Sequence, residues 1–259
     1  MASPSVFVPA SRLVDAVHAS PNFEPRRGVT QANMLLLHYT GMHSAAKAID
    51  WLSRPESRVS SHYVLDEHGV VTQLVAETDR AWHAGLAVWH GETDINSLSI
   101  GIEIHNPGHD HGYPDFPEVQ MCRLEALCQE IVTRWSIPPE RVLAHSDVAP
   151  KRKIDPGEKF DWKRLSQRGV GHWVEPEPVD PVDLGCAPES VSPVIAAAQQ
   201  KLARYGYGVP QTGILDADTR IVVAAFQRHF RPARVDGRLD RSTCVTLDRL
   251  LAAVPQYGA

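Results

Sequence analysis

Cysteine is scarce in this chain of 259 residues, with four scattered at 122, 128, 186 and 244. None belongs to a C-x-x-C pair, which excludes a zinc ribbon and a thioredoxin-like redox motif. Cys122 and Cys128, six residues apart in a helical pattern, read as buried small hydrophobes. Nothing in the spacing argues for a bridge between Cys186 and Cys244. Long apolar runs are missing too, since none approaches the ~20 residues that cross a bilayer. Positive charge is not in excess: the formal net charge of -5 gives no footprint of nucleic-acid binding. Residues 1–30 hold no basic segment followed by an apolar core, so no secretory signal is expected and the expected compartment is the cytoplasm. What remains is an ordinary globular mix, 43% hydrophobic and 22% charged, long enough for one large domain or two unequal ones. Histidine, with 13 residues, is the chemically active type in good supply.

Proline, acid and valine alternate from Val174 to Asp183. That segment cannot form a helix and should run extended as a semi-rigid spacer. It divides the chain into residues 1–173 (with an N-terminal arm, 1–30), a linker at 174–188 and a tail at 189–259. Upstream, residues 34–38 and 99–105 read as strands, as do 62–65 and 70–74 across an Asp66-Glu67-His68-Gly69 turn. Residues 44–51 read as a helix with Ser44 as N-cap, and 119–135 as a longer one ending before Pro138-Pro139. Residues 141–144 form a short strand leading into His145. Strands interleaved with helices predict a mixed α/β domain around a central sheet. Downstream, helices are expected at 191–205, 216–230 and 240–253. The last two share an Asp-x-x-Thr entry, as capped helices do.

The apolar run Met34 to Leu37 ends in His38, and a strand end is where an α/β protein displays chemistry. A lone histidine there is more often structural. Two more candidates change the balance: His145, again closing an apolar strand, and Asp155, ten residues later on a loop. Two imidazoles and one carboxylate leave a zinc ion an open position, as catalytic sites do.

Four segments now combine: His38-Tyr39-Thr40-Gly41, Ser99-Ile100-Gly101-Ile102-Glu103, His145-Ser146-Asp147-Val148-Ala149-Pro150 and Lys153-Ile154-Asp155-Pro156-Gly157. In order and spacing they resemble the AmpD/AmiD-type N-acetylmuramoyl-L-alanine amidases over roughly residues 30 to 168. The resemblance implies one zinc ion per chain on His38, His145 and Asp155. It implies Glu103 as the general base that moves the proton of the attacking water. It implies Lys153 as the cation beside the developing oxyanion, although on spacing alone Lys153 reads as a solvated member of Lys151-Arg152-Lys153. Trp82 and His83, in Trp82-His83-Ala84-Gly85, match the family's groove lining and are expected to bind substrate, with Tyr63 nearby. His105, His109 and His111 are expected to form a loop lip rather than a second metal site.

The tail resembles the three-helix type 1 peptidoglycan-binding domain over nearly all of residues 189–259. The combined expectation is a monomeric zinc hydrolase. It would cut the amide between N-acetylmuramic acid, or its anhydro form, and L-alanine of the stem peptide, in wall turnover or recycling. Its partners would be peptidoglycan or muropeptides. The alternatives are a non-catalytic peptidoglycan receptor, or a zinc peptidase cutting within the stem. A wall-binding tail also points to the cell envelope, against the cytoplasm that the N-terminus suggests.

Overall fold

Met34 to Leu37 are all fully buried, which requires the strand that carries them to lie inside a sheet covered on both faces. The computed structural model describes residues 7–254. In chain order the first part holds β1 (Ala16–Val17), β2 (Phe23–Pro25), β3 (Met34–Tyr39), α1 (Ala45–Leu52), β4 (Tyr63–Leu65), β5 (Val71–Gln73) and β6 (Asp79–Ala81). It continues through α2 (Ile95–Leu98), β7 (Ser99–Ile104), α3 (Glu118–Trp135), β8 (Val142–Ala144), α4 (His145–Val148) and α5 (Trp162–Gln167). The tail holds α6 (Pro193–Tyr205), α7 (Ala217–Phe230) and α8 (Arg241–Ala253).

The main sheet has the order β1-β5-β4-β7-β3-β8 and is mixed: β3 runs parallel to β7 and β8, while β4 and β5 form an antiparallel hairpin. Strands β2 and β6 pair separately. Alternation along the strands sorts side chains onto two faces. Leu35, Leu37, Ile100, Ile102 and Ile104 pack under α3 through Leu124, Leu127, Cys128 and Ile131. Met34 and Leu36 face the other way, into a core that continues into the tail. His38 and Glu103 are register partners at the C-terminal ends of β3 and β7, on this second face. The sheet thus presents both side chains together.

Helix entries follow local chemistry. Ser44 caps α1 by accepting from Lys47 N–H; Asp216 and Asp240 cap α7 and α8 by accepting from Thr219 and Thr243 N–H. Three expectations are corrected. Cys122 is exposed on α3, where its thiol meets Glu118, and only Cys128 of that pair is buried. All four cysteines are free thiols, in keeping with a spacing that argues for no bridge. His145 opens a short helix instead of ending a strand. The segment 174–188 has no regular structure, yet it is no free spacer. Ser242 and Thr246 of α8 bind the backbone of Glu177, and Arg234 donates to the carbonyls of Asp180 and Asp183. Its acids and carbonyls strap it to the tail.

The tail itself is docked on the sheet domain. Trp89 is fully buried, with Tyr205 and Tyr207 packed edge-on to its ring. His90 N–H donates to Gly206 carbonyl at 2.9 Å. A Cβ on Gly206 would stand 2.4 Å from the Trp89 ring, so this close approach requires glycine.

Candidate metal centre and cleft

His38 Nδ1, His145 Nδ1 and Asp155 Oδ2 converge, with separations of 2.8 Å between the nitrogens and 3.3 and 3.1 Å from each to the oxygen. All three residues are buried. The hydrogen bonds around them determine which nitrogens carry protons. Ser99 Oγ donates to Ile95 carbonyl at 2.6 Å, so at 3.3 Å it accepts from His83 Nε2–H. His83 Nδ1 is then bare, and accepts from His38 Nε2–H at 3.0 Å. The remaining nitrogen of His38, Nδ1, is bare in turn. His145 Nε2–H donates to Ala84 carbonyl at 3.1 Å, which leaves its Nδ1 bare as well. Each imidazole spends its far N–H on the protein and turns a lone pair inward, the arrangement of metal-ligating histidines.

Electrostatics keep His38 neutral and Asp155 ionised. Burial pushes the His38 imidazole down to about 4, helped by His145, against the pull of Asp155. Burial raises the carboxyl of Asp155, but the imidazoles of His145 and then His38 outweigh it and hold it far below the usual carboxylate range. Two bare nitrogens and a carboxylate oxygen at hydrogen-bond distances have no proton to share. A cation resolves this. For a tetrahedral centre with arms of about 2.0–2.1 Å, ligand atoms stand roughly 3.3 Å apart, within about half an ångström of the separations here. The donor set fits zinc.

Local folding explains the convergence. The chain after α4 turns back on itself: Arg152 and Lys153 N–H both donate to Ala149 carbonyl, and Ser146 N–H donates to Asp155 carbonyl at 3.0 Å. This places Asp155 against His145. The three basic residues of the turn go separate ways. Lys151 reaches Asp218 of α7 at 2.7 Å, Arg152 binds the carbonyls of Ala84 and Leu86, and Lys153 points into the cleft.

That cleft holds about 260 Å³. Glu103, His145, Lys153 and Asp155 border it on one side, Trp82, Trp51 and Val59 on another. Glu103 Oε2 is closed off from solvent and has no hydrogen-bond partner among the described residues. Burial, and then the charge of Asp155, push the Glu103 carboxyl well above its ordinary range, with Lys153 opposing. A larger depression of about 610 Å³ lies between α3 and α5, but its Glu125 is already paired with Arg164 and Arg168.

Trp82 lines the cleft. Tyr63 does not, and is corrected. It pairs in register with Ile102, not with Glu103, so its side chain leaves the opposite face of the sheet. Its hydroxyl donates to Glu77 at 2.6 Å beneath α3. His83 borders the cleft, but both its nitrogens are committed to His38 and Ser99, leaving none for a substrate. Its ring fits because residue 101 is glycine, where a Cβ would lie 2.6 Å from the imidazole. His109 and His111 form a short 3-10 turn beside the cleft, where His109 binds Glu158 and Tyr39, whereas His105 is buried against Thr40. Trp51, Val59 and Ser60 were not singled out from sequence. The one available signal was Trp51, an exposed indole on α1.

Comparisons with known proteins agree with this geometry. The N-acetylmuramoyl-L-alanine amidase family matches residues 28–158, and a peptidoglycan-binding domain family matches residues 192–247. The chain is 36% identical over 238 residues to N-acetylmuramoyl-L-alanine amidase AmiD of Escherichia coli (strain K12), covering 87% of this chain and 83% of that one. It is 31% identical over 163 residues to the 1,6-anhydro-N-acetylmuramyl-L-alanine amidase AmpD of Haemophilus influenzae, covering 56% and 86%. Among solved structures, the E. coli AmiD complex with the substrate anhydro-N-acetylmuramic acid-L-Ala-D-gamma-Glu-L-Lys superposes with a TM-score of 0.72 at 34% identity, covering 91% of each chain. AMPDH3 from Pseudomonas aeruginosa superposes at 0.74 with 30% identity, covering 97% of this chain and 100% of that one. The converging histidines and carboxylate, the fold and these relatives lead to one assignment: the chain belongs to the N-acetylmuramoyl-L-alanine amidases.

Proposed function

We propose that this amidase is a zinc enzyme whose ligands are His38, His145 and Asp155, and that it cuts the amide joining muramic acid's lactyl group to L-alanine of the stem peptide. The observation that carries the reading is the pair of bare imidazole nitrogens facing Asp155 beside the unpartnered carboxyl of Glu103. Bound there, zinc supplies Lewis acidity, polarising the amide carbonyl and lowering the pKa of water toward ~7. Glu103 takes the proton of the attacking water and returns it to the departing L-alanine nitrogen. Its enclosed Oε2, unspent on any protein group, is suited to holding that proton between the two steps. Lys153, at the edge of the same cleft, stabilises the negative charge that grows on the attacked oxygen. Trp82 and Trp51 offer apolar faces for the sugar ring. The ligands of the related AmiD and AMPDH3 complexes, an anhydromuramyl peptide in each case, support muropeptides as ligands of this chain.

The test combines metal analysis with product analysis. One zinc per chain is expected, with hydrolysis lost on chelation and regained on adding zinc. Mass spectrometry should find intact stem peptides bearing a free L-alanine amine. Cleavage inside the stem would instead make the enzyme a peptidase, and binding without cleavage would make it a receptor. No helix among the described residues is long and apolar enough to cross a membrane. We propose polymeric peptidoglycan as a substrate beside small anhydromuropeptides, because of the tail. Comparing intact sacculi with soluble muropeptides, and fractionating cells, tests that placement in the envelope against a recycling role in the cytoplasm. A single species in size-exclusion chromatography at the mass of one chain would support a monomer.

A further inference from the structure

Asp147 is fully buried two residues beyond His145. Its Oδ2 accepts from Ala144 N–H at 2.8 Å, closing the corner where β8 turns into α4. The same oxygen accepts from His229 Nδ1–H at 2.6 Å, and Oδ1 accepts from the Tyr207 hydroxyl at 2.6 Å. Both partners belong to the C-terminal domain: Tyr207 follows α6 and His229 stands on α7. The His229 ring is stacked at 3.8 Å on Trp162 of the catalytic domain and at 3.8 Å on its own neighbour Phe230. A buried carboxylate must be satisfied by donors, and two of the three here come from across the domain boundary.

We propose that the C-terminal domain is a working part of the metal centre: Tyr207 and His229, acting through Asp147, are positioning residues for His145. The inference rests on the reading of His145 as a metal ligand. Asp147 holds the N–H of Ala144, the residue immediately before His145, so a shift of its carboxylate re-aims the imidazole. The rest of the interface could secure the two domains without it. Trp89 packs on the rings of Tyr205 and Tyr207, a contact that does not use the Tyr207 hydroxyl, and the Lys151–Asp218 pair is largely exposed. Arg228, the preceding residue of α7, stands 4.0 Å from Glu158, which binds His109, which binds the hydroxyl of Tyr39 at the cleft wall. One helix therefore reaches the site at two adjacent residues.

The experiment uses the full-length, zinc-loaded chain. Tyr207→Phe and His229→Phe each remove a donor while keeping a ring; His229→Asn keeps an N–H near the position of Nδ1. Zinc transfer to a colorimetric chelator, melting temperature, and kcat and KM on a soluble muropeptide are measured for each. The double Phe variant should release zinc roughly tenfold faster and lose roughly tenfold in kcat, with KM changed by less than about twofold. His229→Asn should recover most of both losses. A lower melting temperature with zinc transfer and kcat unmoved would overturn the proposal, as would His229→Asn behaving like His229→Phe. If the double variant does not fold, Tyr207→Phe alone, which lacks one oxygen, is read against the same two outcomes. His145→Ala separates the two claims. It should lose zinc; if it held zinc as tightly as the parent, the ligand assignment would fail whatever Tyr207 and His229 do.

Discussion

Glu103 shares a register pair with His38 and ends in an oxygen with no protein partner, so its side chain can be changed without breaking an internal hydrogen bond at Oε2. Glu103→Gln keeps the shape and removes the proton carrier. The variant should bind zinc as the parent does and lose about 10²- to 10⁴-fold in kcat, the usual contribution of a general acid-base group. Full activity would remove Glu103 from the reaction. His62 bears on stability instead. It is fully buried, with Nδ1 accepting from Gly101 N–H and Nε2–H donating to Asp79 carbonyl. Burial, then the charge of Arg26, push its imidazole down to about 3 from an ordinary 6.5. A depressed histidine binds its proton in the unfolded chain first. Stability is therefore full above pH 6.5 and falls as pH drops toward 3, by about 2 kcal/mol at pH 5 from this residue alone. Urea titrations of the metal-free chain at pH 7.5 and 5 should show the loss. His62→Gln should lower stability at both values and flatten the difference between them.

At the level of elements, β7 does most to shape the site, and its least conspicuous residue is the one to test. Gly101 leaves the space in which the His83 ring reaches His38. Gly101→Ala would put a methyl group 2.6 Å from that ring, and overpacking of this kind costs about 1–3 kcal/mol. The expected result is weaker zinc binding with a normal circular dichroism spectrum, read by chelator competition; unchanged affinity would show that His83 does not hold His38. Much of this element was legible beforehand. Apolar runs marked β3 and β7, capping residues marked α1, α7 and α8, and the motifs at 38, 103, 145 and 155 marked the candidate centre. A glycine inside a strand is itself a sign of close approach. What escaped was set by register. Tyr63 follows Ser61-His62 in sequence, but only pairing with Ile102 decides which face it occupies. Likewise the role of His83 depends on Ser99 and Gly101, sixteen and eighteen positions away, and no local pattern announces such a contact. The short strands β1, β2 and β6 carry too few residues for any periodicity.

The whole molecule departs most from what its linker suggests. A Pro- and acid-rich segment between a catalytic part and a binding part reads as a semi-rigid spacer that holds the two parts at a distance. Here one apolar cluster runs from Met34 and Leu36 of the sheet through Trp89 to Tyr207, Phe226 and Phe230 of the tail. Interfaces between domains of one chain are usually more polar than this. Separating the parts would expose Trp89 and leave Asp147 buried with fewer donors, so neither part can open cheaply while the other stays folded. Calorimetry of the intact chain should therefore show one transition, with equal calorimetric and van't Hoff enthalpies. Trp89→Ala should lower the stability by about 3–5 kcal/mol. It should also split the transition in two, because it removes the residue at the centre of the contact. Zinc bound only to the folded state would raise the single transition as a unit, and chelation should lower it as a unit. A tail that melted at its own temperature in the parent chain, indifferent to zinc, would mean that the shared core does not couple the domains.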